Sequence, residues 1–331
     1  MTEPESQTDH ATIDNEMLQT VINSDAFGVI LDSTLDWISG SSPTRSTTSG
    51  SGRRTKQNIE ALKAHLYEIT QEIQPASVRQ IYYQMVSRGF IDKTETEYKG
   101  TVCRLLTIMR KAGELPYGWI TDTTRMMRKP NSYRDLDQWL EHEAALYRRA
   151  LWDNQAVDVE IWLEKDALSG VLYPITSRWD VPLMVTRGYP SLTFVHSAAH
   201  QMNQTEWPTH IYYLGDHDPS GQDIPRMVEE NLREMAPKAD ITFTRLAVNP
   251  DQIELLNLPT RPTKKKDSRS KGFIGESVEV DAIEPEVLRR MVEDAITSHI
   301  NQDALDYQME VEALERETLS NLPASWSRSD S

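Results

Sequence analysis

Between residues 157 and 248, strand-like and helix-like runs alternate without interruption. Val157-Asp158-Val159-Glu160-Ile161-Trp162-Leu163 alternates apolar and polar positions and stops at Glu164, and residues 167–179 then carry helical spacing. Val181-Pro182-Leu183-Met184-Val185-Thr186 reads as a second strand, closed by the turn Arg187-Gly188-Tyr189-Pro190. Residues 191–203 are helix-like, Ile211-Tyr212-Tyr213-Leu214 is a strand, a helix spans about 220–235, and 241–248 supplies another strand. Strands separated by helices can pair in parallel, and a parallel sheet needs cover on both faces. The predicted fold class is therefore α/β.

Open parallel sheets place their ligands at the carboxyl ends of the strands. Glu164 ends the first strand, and Asp216-His217-Asp218-Pro219-Ser220-Gly221 follows the third. Strand neighbours two apart point the same way, so Asp216 and Asp218 are expected to project together. Close carboxylates repel unless a cation or proton lies between them. Mg²⁺ suits such a place, because it takes oxygen ligands and often only one or two carboxylates. Alone, the Asp-Pro-Ser-Gly stretch reads equally as a solvated turn; Glu164 on the same sheet edge favours the cation.

The wording of these segments is similar to a known family. A Glu after one strand and a DxD after a later one is the pattern of the Toprim domain. EKDALSGVL, RGYPSL, YYLGDHDPSGQDI and AVNPDQIELLNLP, within about residues 55–285, resemble the A subunit of topoisomerase VI and its relative, the meiotic double-strand-break transesterase. The resemblance implies that Glu164, Asp216 and Asp218 hold Mg²⁺. It also implies a winged-helix domain bearing a nucleophilic tyrosine, which becomes linked to a 5′ DNA end. The implied assembly is a homodimer in which the tyrosine of one subunit faces the acids of the other, and a short linker between the halves argues in the same direction. Topoisomerase VI also uses an ATPase B subunit. This chain has no G-x-x-x-x-G-K-S/T loop, so it has a separate partner or is a short, stand-alone A-type enzyme.

The tyrosine can be sought in the helices before the sheet. Residues 56–73 form an amphipathic pattern with Ile59, Leu62, Leu66 and Ile69. Ser77 is an N-cap for a second helix over 78–88, ended by Gly89. Val78, Ile81, Tyr82, Met85 and Val86 share one face, which leaves Tyr83 about 130° from its centre. Tyr82 is thus expected in the core and Tyr83 exposed, beside Arg79 one turn earlier. SVRQIYYQMV resembles the family's catalytic segment, whose second aromatic is the attacking residue; Tyr83 is the implied nucleophile and Arg79 a stabiliser of phosphoryl charge. A third helix over 98–112 carries Lys99, Arg104, Arg110 and Lys111, and 115–120 reads as a short strand and wing. A winged helix-turn-helix places its third helix in the major groove of double-stranded DNA.

Net charge is −16 and the pI about 5.0, but nucleic-acid affinity follows local patches rather than totals. Arg125, Arg128 and Lys129 extend the positive stripe. Arg261-Pro262-Thr263-Lys264-Lys265-Lys266, continuing through Arg269 and Lys271, is either a DNA-contacting loop or a solvated one. No Lys or Arg precedes Arg45 and residues 39–52 are rich in Ser, Thr and Gly, so 1–54 reads as a disordered acidic tail. The remaining layout is a winged-helix domain over 55–130, a helical linker over 131–156, a Toprim-type domain over 157–302 (with an amphipathic helix over 281–301) and an acidic helical tail over 303–331. The single cysteine, Cys103, excludes an intrachain disulfide. No membrane span or secretory leader is evident, and a cytoplasmic, nucleoid-associated protein is expected. Two other functions stay open: a Toprim nuclease that hydrolyses DNA with water, and a DNA-binding dimer without turnover.

Overall fold

A computed structural model of the chain describes residues 54–121, 129–262, 273 and 275–326, with side chains through 321. The N-terminal acidic segment, Arg125, Arg128, Lys264, Lys265, Lys266, Arg269 and Lys271 lie outside the described residues.

The chain is mixed α/β around a four-stranded parallel sheet. Strands β1 (Asp158–Leu163), β2 (Leu183–Val185), β3 (Thr209–Leu214) and β4 (Ile241–Ala247) lie in the order β2-β1-β3-β4. The chain moves outward from β1 to β2, then returns past β1 to β3. Strand order therefore reverses between β1 and β3, and the carboxyl ends of those two strands flank a topological switch point. Their register pairs Leu163 with Leu214.

Side-chain alternation divides the core between the two faces. Val159, Ile161 and Leu163 of β1, with Tyr212 and Leu214 of β3, share a core with Val171, Leu172, Leu288 and Val292. Trp162, Ile211 and Tyr213 face the other way, against Val195, Ala198, Ile224 and Val228. Three helices connect the strands: Ser169–Arg178, Leu192–Met202 and Pro219–Met235. A further helix, Pro285–Thr297, begins at a proline, whose missing N–H costs nothing in a first helical turn. Its predicted start at 281 is too early, because Val280–Ala282 is instead a separate 3₁₀ turn. The helix Gln302–Trp326 then packs on Leu136–Leu146, with Tyr147 donating to Glu315 at 2.7 Å.

The N-terminal helices belong to the same core as the first sheet face. In Lys56–Ile73, Leu62, Leu66, Ile69 and Ile73 are buried at helical spacing, and Thr55 caps Asn58. In Val78–Ser87, Ser77 and Gln80 form a reciprocal capping box. The third helical stretch starts with Glu95–Glu97 and a π-helical turn, Tyr98–Cys103, before Arg104–Lys111. The expected strand over 115–120 is not formed: Tyr117–Trp119 is a 3₁₀ turn and only Ile120 makes a β-bridge, to Ala76. Pro116 removes a donor and Gly118 disfavours extension there. Among the described residues there is thus a three-helix unit and no wing strand. No described helix is long and apolar enough to cross a membrane.

One acid sits on the core-facing side of β1. Glu160 is 9 % exposed and accepts from Trp162 Nε1 at 2.7 Å. Burial, opposed by that hydrogen bond and reinforced by Asp158, pushes its carboxyl up to about 7. A folded-state pKa above the unfolded value contributes stability below about 4.5 that is lost as pH rises through 7. Glu160→Gln is therefore expected to raise the unfolding free energy from denaturant titration at pH 8, by on the order of 2–3 kcal/mol, and much less at pH 5. An equal gain at both pH values would show that ionisation is not the cause.

Candidate functional site

Glu164 follows β1 directly, and its amide donates to Leu214 O at 2.9 Å, so the end of β3 positions it. Its Oε2 accepts from the backbone N of Asp216 at 3.1 Å and lies 3.5 Å from the Tyr213 hydroxyl. Gly215 makes this approach possible: a Cβ there would fall 2.5 Å from Glu164 Oε2 and 2.6 Å from Tyr213 Cε1. The Glu164 carboxylate can swing aside, whereas the buried Tyr213 ring must tilt in its core, so Gly215→Ala is expected to keep the fold at some cost in stability and to displace the Glu164 carboxylate. Circular dichroism should be unchanged while any activity that uses Glu164 falls as in Glu164→Ala. Full activity in Gly215→Ala would remove Glu164 from the site.

Asp216 and Asp218 lie beyond the end of β3, so strand alternation does not aim them together as the sequence suggests. Asp216 is 7 % exposed; its Oδ1 accepts from Val280 N at 2.9 Å and meets Lys165 Nζ at 2.9 Å. Asp218 caps the helix Pro219–Met235, accepting from Gly221 N at 2.8 Å, and lies 4.0 Å from Arg261. The turn between them is held from β4. Arg245 donates to the carbonyls of Gly215, Asp216, Gly221 and Val248 at 3.1, 2.5, 2.7 and 3.1 Å.

Two further acids, absent from the sequence reading, complete the cluster. Lys165 Nζ lies 3.2 Å from Glu279 and 2.7 Å from Asp281. Glu279 also meets Arg79 at 3.6 Å and Arg261 at 2.8 Å. Asp281 Oδ1 is buried without a hydrogen-bond partner. The alternation Val278-Glu279-Val280-Asp281 was the available signal: apolar residues face the core and acids face the site. Burial alone would lower Lys165, but Asp281, Asp216 and Glu279 hold it well above the usual lysine range. Burial would raise Glu279, yet Lys165, Arg79 and Arg261 bring it below its ordinary value. Glu164 is pushed up to about 7, first by burial and then by the charge of Asp216, with Asp218 adding to it. Asp216 is also raised, by burial, against the pull of Lys165.

Tyr83 is 2 % exposed, as buried as Tyr82 at 3 %; its expected exposure is overturned. The helical wheel counts only one partner face. The helix Val78–Ser87 also packs against Val280–Ala282, and Tyr83 belongs to the same buried cluster as Val280 and Ala282. The two tyrosines still differ. The Tyr82 hydroxyl donates to Thr94 O at 3.2 Å, whereas that of Tyr83 has no hydrogen-bond partner among the described residues. Lys93 Nζ stands 5.2 Å above the Tyr83 ring and donates to Pro259 O at 2.6 Å. Burial and Glu279 raise the Tyr83 phenol above its ordinary value, with Lys165 and Arg79 opposing. Tyr83 and the Lys165 cluster are thus neighbours within one chain, so linker length does not keep them apart.

The proposed DNA contacts lie on one helical stretch. Lys99 pairs with Glu95 at 3.1 Å and is largely exposed. Arg104 bonds back to Gly100 O at 2.9 Å, Arg110 lies 5.6 Å over the Tyr117 ring, and Lys111 is exposed. Arg79 is drawn inward instead, 4.3 Å over the Tyr98 ring.

Among the described residues, no three His, Cys, Asp or Glu side chains are gathered as a metal cage. The donor chemistry nevertheless fits a hard cation: Glu164, Asp216 and Asp218 are carboxylates, and the charges of the two Asp both act on Glu164. Lys165 supplies part of the balancing charge. No protein-family model matches the chain, and the search of curated proteins finds no match either.

Proposed function

We propose that the chain is a DNA strand transesterase, a short relative of the topoisomerase VI A subunit with a Toprim-like sheet, Tyr83 being its nucleophile. One observation carries this reading: the switch point of the sheet sets Glu164 and Asp216 side by side, and the tyrosine helix of the same chain packs beside them. Attack by the Tyr83 oxygen on a backbone phosphorus forms a tyrosyl phosphodiester as the bond to the leaving sugar oxygen breaks. Bond energy is conserved, so resealing needs no added energy source. The phenol is held neutral at rest, and the cations Arg79 and Lys165 favour its ionised form. Glu164, Asp216 and Asp218 would hold Mg²⁺, which when bound supplies positive charge for the phosphoryl oxygens. The exposed Lys99, Arg104 and Lys111 are suited to phosphate contacts that fix the duplex without reading sequence.

The test is incubation with end-labelled supercoiled DNA and Mg²⁺, followed by denaturation. Label carried with the protein supports transesterification. Free linear DNA supports a hydrolytic nuclease, and intact, reversibly bound DNA supports a binder. Asp216→Ala should abolish cleavage and spare DNA binding, since losing an acid removes no phosphate contact. Full cleavage by Asp216→Ala would end the metal assignment. The resemblance implies a homodimer with the tyrosine supplied across it, whereas the structure sets Tyr83 beside Lys165 of its own chain. Mixing Tyr83→Phe with Glu164→Ala under subunit exchange separates the two: revived nicking means supply by the partner subunit.

A further inference from the structure

At the opposite edge of the sheet, where β1 and β3 begin, lies a cavity of about 220 Å³. It is roughly 13 Å from the Glu164 end, given four residues of strand rise. Asp158 and Glu160 of β1 line it, and Thr209, paired with Asp158 across to β3, stands on the same face. Asp180 closes one side, and Trp152 and Met202 make apolar walls.

One buried carboxylate and one unpartnered hydroxyl lie there. Asp158 Oδ2 accepts from Thr205 at 2.9 Å, Asp180 Oδ2 from Leu151 N at 3.2 Å, and Glu160 Oε2 from Trp162 at 2.7 Å. Among the described residues none of the three is ion-paired; Glu160 is buried, Asp158 is half-buried and Asp180 is exposed to solvent. The Thr209 hydroxyl, in a residue 2 % exposed, has no hydrogen-bond partner among the described residues. Buried polar groups are ordinarily satisfied, and each exception needs an explanation. Water can supply donors, but not the charge that a buried carboxylate lacks.

We propose that this cavity binds a primary alkylammonium group, with Glu160 and Asp158 taking its charge and the Trp152 and Met202 walls its short apolar stem. The match is one of donors to acceptors. An ammonium offers donors only, and the carboxylates, once ionised, offer acceptors only. The volume is that of about seven liquid waters, enough for a chain of a few carbons. A bare metal ion fits less well, because the Trp152 and Met202 walls offer it no oxygen ligand. This inference is independent of the transesterase reading.

The test is calorimetric titration of the full chain, without DNA, at pH 8 with n-butylammonium chloride. Tetramethylammonium and sodium chloride at equal ionic strength are the controls. One saturable site is expected for butylammonium and none for the controls. Glu160→Gln should weaken binding at least tenfold, and Asp158→Asn should weaken it too. Glu234→Gln, which removes the same charge from an exposed position, should leave it unchanged. Glu160→Gln is expected to fold more stably than the parent at this pH, so its loss of binding is not unfolding. Equal binding by Glu160→Gln, or a matching response to tetramethylammonium, overturns the proposal. Tighter binding of methylguanidinium than of butylammonium overturns the choice of cation.

Discussion

Tyr83→Phe is expected to lose all covalent attachment to DNA and at least about 10³-fold of cleavage, the scale on which removal of a nucleophile is felt. The lost hydroxyl has no hydrogen-bond partner among the described residues, so its removal leaves no buried group stranded. The denaturant midpoint should therefore stay close to that of the parent, and DNA affinity should change by less than about threefold. This pairing of lost chemistry with kept stability distinguishes a nucleophile from a core tyrosine. Tyr82→Phe is the matched control: it removes a hydrogen bond to Thr94 O and should cost about 1 kcal/mol of stability while keeping attachment. If Tyr82→Phe loses attachment and Tyr83→Phe retains it, the roles are reversed. If neither variant alters cleavage, water is the nucleophile.

Gly221→Ala should be the most damaging small substitution in the chain. A Cβ at 221 would lie 2.1 Å from Asp216 O and 2.8 Å from Asp216 C. These are backbone atoms, and Arg245 holds the same carbonyl. Nothing flexible is available to move, whereas at Gly215 the Glu164 carboxylate can swing aside. The helix start or the turn before it must shift, at a cost of about 3 kcal/mol or more. Asp216 and Asp218 would be carried off their partners in the same movement, so cleavage should fall together with stability. Urea denaturation of Gly221→Ala beside Gly215→Ala checks the contrast. A midpoint for Gly221→Ala equal to that of the parent would mean that the turn is not as tightly closed as the structure has it.

The sequence pattern revealed those parts of the fold that depend on local periodicity. The strand-helix alternation, the Ser77 cap and the location of Glu164 and Asp216 at strand ends all follow from spacing and turn chemistry. Tyr83 shows where such reading stops. Its helix has a clear apolar face, but it also packs against Val280–Ala282, which is distant in sequence. No wheel drawn on residues 78–87 contains that contact. The strand expected at 115–120 failed for a different reason, since a short apolar run holding Pro116 and Gly118 specifies a turn as readily as an extended chain. Lys165, Glu279 and Arg245 went unnoticed because each acts through a partner on another element. Lys165 reads as a surface charge until Asp216, Glu279 and Asp281 are set around it.

The N-terminal helices and the first face of the sheet share one apolar core, tied by Arg289 donating to Pro75 O at 2.6 Å and Lys93 to Pro259 O at 2.6 Å. Neither half is therefore an exchangeable module. A sheet fragment cut away before residue 131 would bare the apolar surface that Tyr82, Tyr83 and Met85 now cover, and the isolated helices would bare its counterpart. Whatever Tyr83 does chemically, its helix is also a part of this shared core. A Tyr83 variant without chemistry would then leave the shape of the molecule nearly untouched.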